Sequence, residues 1–212
     1  MSLNRDNKTR AKYSHNLRED YDINGPIVMY VGNLEAYQGL DLLLDSTAVL
    51  IGKRDIELNL VVIGGTREAI QKYSKIVDEI DISESVFFVG SRPLELLSTY
   101  LYQADILVSP RLKGVNTPMK LFSYLKSGKP TLVTNLVTHT QVVDRNTAFL
   151  AEPNPEAFAE GLATLLSDHL LCARLGKAGK ELIESKYSLN AFKETFDMAM
   201  TWLERELQSS YT

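Results

Sequence analysis

The 212-residue chain has a single cysteine, Cys172, and only three histidines, His15, His139 and His169, scattered along its length. An internal disulfide is therefore impossible, and no Cys/His spacing matches a zinc site. Charge of one sign is not in excess. The 23 Lys and Arg face 27 Asp and Glu, for a formal net charge of -4, which argues against a chain-wide nucleic-acid footprint. No apolar run approaches the roughly 18 residues of a membrane span, and the longest, residues 26–32 and 58–65, are strand-sized. The first ten residues lack the apolar stretch of a signal peptide. Residues 1–24 read as a tag followed by a linker, and a soluble, cytoplasmic chain is expected. Hydrophobic residues at 44% and charged residues at 24% exclude wholesale disorder. Residues 25–212 are expected to fold as one domain.

What is present is a regular alternation. Short β-branched runs at 26–32, 58–65, 86–90, 106–110, 131–134 and, more weakly, 148–151 read as buried strands. Between them lie helical patterns at 40–53, 66–80, 93–104, 117–126 and 138–143, and three further helices follow at 155–167, 169–185 and 189–207. This order predicts an α/β, doubly wound, Rossmann-like parallel sheet of about six strands with helices on both faces. Ligands of such sheets bind outside the carboxyl ends of the strands, where the strand order reverses. The segments to inspect are therefore 32–39, 64–67, 90–92, 110–117 and 135–140.

Several doubly wound chemistries are excluded by what those segments lack. There is no G-x-G-x-x-G, no phosphate-binding P-loop, and no G-x-S-x-G elbow. Asp20-Tyr21-Asp22 matches a metal-carrying D-x-D, but it precedes the first strand in a polar segment and reads as solvated surface, so no metal is expected. Gly64-Gly65 reads as a tight turn. His139, after the fifth strand, reads first as a surface residue at a helix start, with a place reaching into the crevice as the alternative. In the last helix Phe192, Phe196, Ala199 and Leu203 form a stripe, with Trp202 beside it, expected mostly as core and in part exposed.

The informative stretch runs from Ala104 to Pro130. A strand ends at Ser109-Pro110, a glycine-containing loop follows, and a helix is expected to start near Thr117-Pro118, with Asn116 or Thr117 as cap and Pro118 at its first position. Its free N–H groups and positive dipole end would face the crevice, a ready anion site. Lys120, one turn in, adds a cation, and the alternative reading leaves it in solvent on a structural helix.

At these residues the chain resembles the C-terminal half of glycosyltransferase family 4, the retaining nucleotide-sugar transferases of GT-B architecture. The resemblance is carried in order by the block from Val28 through Tyr37-Gln-Gly39 to Leu44, by Leu60-Val-Val-Ile-Gly-Gly65, by Val86-Phe-Phe-Val-Gly90, by Ala104-Asp-Ile-Leu-Val-Ser-Pro110 and by Ser127-Gly-Lys-Pro130. It implies one half of a bilobed enzyme, binding the nucleoside-diphosphate sugar donor, with the acceptor-binding half and the usual catalytic histidine missing. Gly32, Asn33, Gln38, Asn116, Thr117, Met119 and Lys120 would then hold the diphosphate, with Arg111 in reserve. Ser123 would face the ribose, and Gly90 with the loop to Arg92 would line the base pocket.

Departures from the family pattern are specific. Asn33 and Gln38 stand where Arg and Lys commonly grip the diphosphate. Val115 and Ser123 stand where two glutamates are usual, the second normally holding the ribose. A divergent branch of the family is implied, with a membrane-peripheral parent as a further possibility and polysaccharide biosynthesis as the wider role. No cofactor, nucleic acid or catalytic residue is assigned to this chain, which is expected to be an inactive half capable of homodimerising. The competing readings are a degenerate module of the same ancestry that holds a nucleotide or a partner, and a sugar-nucleotide epimerase.

Overall fold

The computed structural model describes residues 16–54 and 56–209. Six strands, β1 (Ile27–Val31), β2 (Asn59–Ile63), β3 (Val86–Gly90), β4 (Ile106–Ser109), β5 (Thr131–Thr134) and β6 (Phe149–Ala151), pair in parallel in the order β3-β2-β1-β4-β5-β6. The helices are α1 (Leu17–Asp20), α2 (Leu40–Arg54), α3 (Arg67–Glu79), α4 (Leu97–Leu101), α5 (Met119–Ser127), α6 (Val137–Thr140), α7 (Pro155–Ser167), α8 (His169–Lys186) and α9 (Leu189–Ser209). Alternate residues of β1 enter different cores. Val28 and Tyr30 join Leu43, Val62, Val108 and Phe158 on one face, while Ile27 and Met29 join Val61, Leu107, Tyr100 and Tyr124 on the other. Burial on both faces is why the strands read as continuous apolar runs. This is the expected doubly wound architecture.

Two helix starts follow their sequence signals closely. Thr66 accepts a hydrogen bond from the Ala69 amide ahead of α3, and Asn154 accepts from the Ala157 amide ahead of α7, with Pro155 at the first helical position. The helix expected over 93–104 is shorter. It begins as a 3-10 turn, Leu94–Leu96, and α4 ends at Leu101, because the chain must turn to feed β4, where the Asp105 carboxylate accepts the Ile27 amide at 2.7 Å.

Folded structure is present from Asn16, ahead of the start expected at residue 25. Asn16 caps α1, Leu17 and Ile23 are buried, and Arg18 pairs with Asp105 at 3.1 Å. Asp20 and Asp22 lie here, at the end of the sheet where the strands begin. The last helix departs from expectation too. Phe192, Phe196, Trp202 and Leu203 of α9 are exposed, Trp202 by 62%. Their stripe is no core, because both faces of the sheet are already covered and no further layer of the described chain remains to receive it.

One feature of the sheet opens the site. β1 and β4 pair only at Val28↔Ile106 and Met29↔Leu107, while β1 stays paired to β2 through Val31. Beyond Met29 the two central strands separate, and the Val31 amide is taken instead by the Tyr124 hydroxyl of α5 at 2.7 Å. Tyr124 is fully buried. Tyr124→Phe leaves that amide without its acceptor, a loss of about 1–3 kcal/mol. Thermal unfolding is expected to show a melting temperature lower by roughly 3–10 °C with unchanged far-UV circular dichroism.

Candidate functional site

The crevice between the carboxyl ends of β1 and β4 is bordered by the loop 32–39, by the loop 110–118 with the start of α5, and by α6 after β5. Gly39 locks the first two together. Its φ of +78° is a left-handed conformation, and a β-carbon there would lie 1.9 Å from the Pro110 carbonyl oxygen. The Leu112 amide donates to the Tyr37 carbonyl across the same junction at 2.9 Å.

Arg111 organises the second loop. It is 7% exposed, its Nε donates to the Lys113 carbonyl at 2.7 Å, its Nη2 donates to Asn116 Oδ1 at 3.2 Å, and its guanidinium lies 5.3 Å from the Tyr37 ring centroid. These contacts explain a difference at the helix start. Asn116 is held by Arg111, and Thr117 Oγ1 accepts from Gln141 Nε2, so neither side chain caps α5. Pro118 takes the N-cap position, α5 begins at Met119, and no side chain caps it. The Met119 and Lys120 amides, first in the helix, have no intrahelical acceptor.

Lys120 extends from that first turn back over β1. Its Nζ lies 3.9 Å from the Tyr30 ring centroid, and a β-carbon on Gly32 would come within 2.9 Å of it. The amine is buried and has no hydrogen-bond partner among the described residues. Burial lowers its pKa to about 7, with the Arg111 charge as the second cause. Neither Lys120 nor Arg111 forms an ion pair among the described residues. Two other buried side-chain atoms are without partners, Gln38 Oε1 and Thr138 Oγ1. All three unpartnered atoms belong to segments that leave the carboxyl ends of β1, β4 and β5.

His139 is buried rather than at the surface, because the ends of β4 and β5 close over it. Its Nδ1 faces the Thr134 carbonyl at 3.0 Å, which requires a proton on that nitrogen, so Nε2 accepts from the Ser109 hydroxyl at 2.9 Å. The Thr134 hydroxyl donates to the Arg111 carbonyl at 2.6 Å. A polar knot thus ties both strand ends to the Arg111 loop. Burial lowers the His139 pKa to about 4; the Thr134 carbonyl opposes this, and the Lys120 and Arg111 charges reinforce it.

The structure gathers Gly32, Gln38, Arg111, Asn116, Thr117 and Lys120 at this crevice. Ser123 follows one turn after Lys120 on α5 and is half-buried, while Met119 exposes its side chain and offers only its amide. Asn33 is exposed on the loop rim, where it and Gln38 lower the pKa of the Tyr37 hydroxyl. Gly90 ends β3, two strands from the opening. Sequence reasoning missed Tyr30 and Thr138, both of which resemble ordinary core or helix-start residues. Among the described residues no three His, Cys, Asp or Glu are grouped to hold a metal ion, and no helix is long and apolar enough to cross a membrane. A cavity of about 340 Å³ lined by Arg18, Asp105, His169 and Cys172 lies at the opposite end of the sheet, but there Arg18 is already paired with Asp105.

Comparison with known proteins agrees with this geometry. Residues 14–182 match the family model "Glycosyl transferases group 1". The chain belongs to that family. The human "Alpha-1,3/1,6-mannosyltransferase ALG2" is 25% identical over 181 residues, 79% of this chain and 43% of the relative. The structure of Anabaena Alr3699/HepE in complex with UDP superposes with a TM-score of 0.77 at 14% identity, covering 87% of this chain and 51% of that one. The C-terminal domain of the group 1 family protein LpcC from Francisella tularensis superposes with a TM-score of 0.70 at 20% identity, covering 81% of this chain and 91% of that domain. The chain spans under half the length of the curated relatives it matches. Its group 1 glycosyltransferase fold is that of one GT-B half.

The His139 knot carries a pH signature. A base whose pKa falls from about 6.5 unfolded to about 4 folded stabilises the fold fully above pH 6.5, and that stability is lost as pH falls toward 4. The loss is of order 3 kcal/mol at most. Thermal melts between pH 7 and 4.5 are expected to show a steeper decline for the wild-type chain than for His139→Gln, and the His139 ring resonances should stay neutral in shift down to pH 5.

Proposed function

We propose that this chain is the donor-binding half of a retaining, family 4 glycosyltransferase, and that it seats the diphosphate of a nucleoside-diphosphate sugar at the start of α5. The observation that carries this reading is the pair of basic groups, the buried Arg111 guanidinium and the buried Lys120 amine, without a carboxylate partner among the described residues and beside uncapped helix amides. Charging a buried basic group that has no partner is costly, and an incoming polyanion offsets that cost. HepE has been captured with UDP and with UDP-glucose, which supports the same ligand class here.

In the reaction, the glycosyl group passes from the diphosphate to an acceptor hydroxyl with retention. The bond from the anomeric carbon to the diphosphate oxygen breaks, and negative charge grows on that oxygen. Lys120, Arg111 and the Met119 and Lys120 amides stabilise it electrostatically, in the manner of an oxyanion site. Gly32, Asn33 and Gln38 close over the phosphates, Asn116 and Thr117 hold the loop, Ser123 bonds the ribose, and the Gly90–Arg92 loop lines the base. The acceptor comes from the parent's other half, for which the exposed apolar stripe of α9 is the docking face, and through which the isolated chain can also dimerise. This half alone is expected to bind without turnover.

A second reading has its own support. Val115 is 89% exposed and Ser123 carries no charge, where the family pattern has glutamates, so a degenerate nucleotide- or partner-binding module is the alternative. Calorimetry with UDP-, GDP- and ADP-sugars separates the two. The donor-half reading expects binding that Lys120→Ala weakens about ten- to a hundredfold and Ser123→Ala about two- to tenfold. No binding of any of the three at millimolar ligand favours the module, and sugar transfer by the full-length parent tests the catalytic claim directly.

A further inference from the structure

The surroundings of the Lys120 amine are one-sided. From β1 it meets the face of Tyr30, whose hydroxyl donates to the Asn33 carbonyl at 2.6 Å, and the backbone at Gly32. From the β4–α5 loop it feels the Arg111 guanidinium, and from α6 it faces His139, which is neutral except in acid. On α5 it sits at the positive end of the helix, near Tyr124, whose hydroxyl is engaged by the Val31 amide. No carboxylate contributes. The Tyr30 ring favours a cation above it, but lost water, Arg111 and the helix end all oppose one.

We propose that Lys120 is a proton-coupled anion anchor: in the free chain the burial of its amine without an acceptor favours the uncharged form, and an arriving diphosphate draws a proton from solvent onto it. The inference rests on reading the crevice as the diphosphate site. The only chemistry is addition of a solvent proton to the amine, which becomes an ammonium held between the Tyr30 face and the phosphate oxygens. The pKa of about 7 in the free chain agrees with this, because a nearby dianion reverses the cost of charging a buried amine. Binding then weakens by up to about tenfold per pH unit above neutrality, until the pH reaches the higher pKa of the complex.

UDP-glucose is a suitable probe, since both of its phosphates are esterified and neither titrates near neutral pH. Calorimetry at pH 8.0 in Tris and in HEPES, buffers with different ionisation enthalpies, should report uptake approaching one proton per ligand, falling toward none at pH 6.0. Lys120→Arg, which cannot shed its proton, should still bind but with no uptake and a flat affinity between pH 7 and 8.5. In the free chain, NMR of isotope-labelled lysine, assigned by the signal missing in Lys120→Arg, should place the titration midpoint near neutral. Binding of UDP-glucose without proton uptake at pH 8.0, uptake that persists in Lys120→Arg, or a midpoint above pH 9 each overturns the proposal and leaves the diphosphate reading standing. Failure of UDP-, GDP- and ADP-sugars alike to bind overturns both.

Discussion

The parting of β1 from β4 beyond Met29 is the constraint on which the site depends. Chain connections leave these two strands toward opposite flanks of the sheet, so no crossover covers the gap between them. Backbone groups there must be satisfied by side chains, and the Tyr124 hydroxyl does this for the Val31 amide. The same buried tyrosine fixes the distance of α5 from β1. That distance places the Lys120 amine over Tyr30 and leaves the first amides of the helix open toward the crevice.

Around that opening the domain tolerates local instability. Arg111 is buried with its loop's own oxygens and the Tyr37 ring for company, Lys120 has no acceptor among the described residues, and Gln38 and Thr138 each bury an unpaired oxygen. Elsewhere among the described residues the buried side-chain polar atoms are paired, as Ser46 and Thr47 are within α2. The unsatisfied groups are thus concentrated at three neighbouring strand ends, at a cost to local stability. The fully bonded Ser109–His139–Thr134 knot lies beneath it and keeps the Arg111 loop in register.

Much of this was legible in the residues. The strands β1 to β6 and the long helices announce themselves because burial on both faces of the sheet demands continuous apolar runs, while the helices between them keep an amphipathic period of their own. That Gly32, Arg111 and Lys120 lie together was legible because the strand–loop–helix order places them at one edge of the sheet. Other features were not. Asn116 and Thr117 are competent caps in isolation, yet Arg111 and Gln141 claim their side chains. His139 looks like a surface residue until the ends of β4 and β5 close over it, and α9 has a core-like stripe that no described element covers.

The division follows from the range of the forces. The sequence by itself determined the elements, their doubly wound class and the loops at the carboxyl edge of the sheet, because helix and strand periodicities and turn chemistry act between residues close along the chain. Only the tertiary structure decided that the Lys120 amine is buried without a partner, that α5 is uncapped, and that His139 is neutral within a knot. Each of these depends on which groups from distant segments exclude water and supply or withhold a hydrogen bond. Loss of water is a property of the assembled surroundings, and no local pattern encodes it.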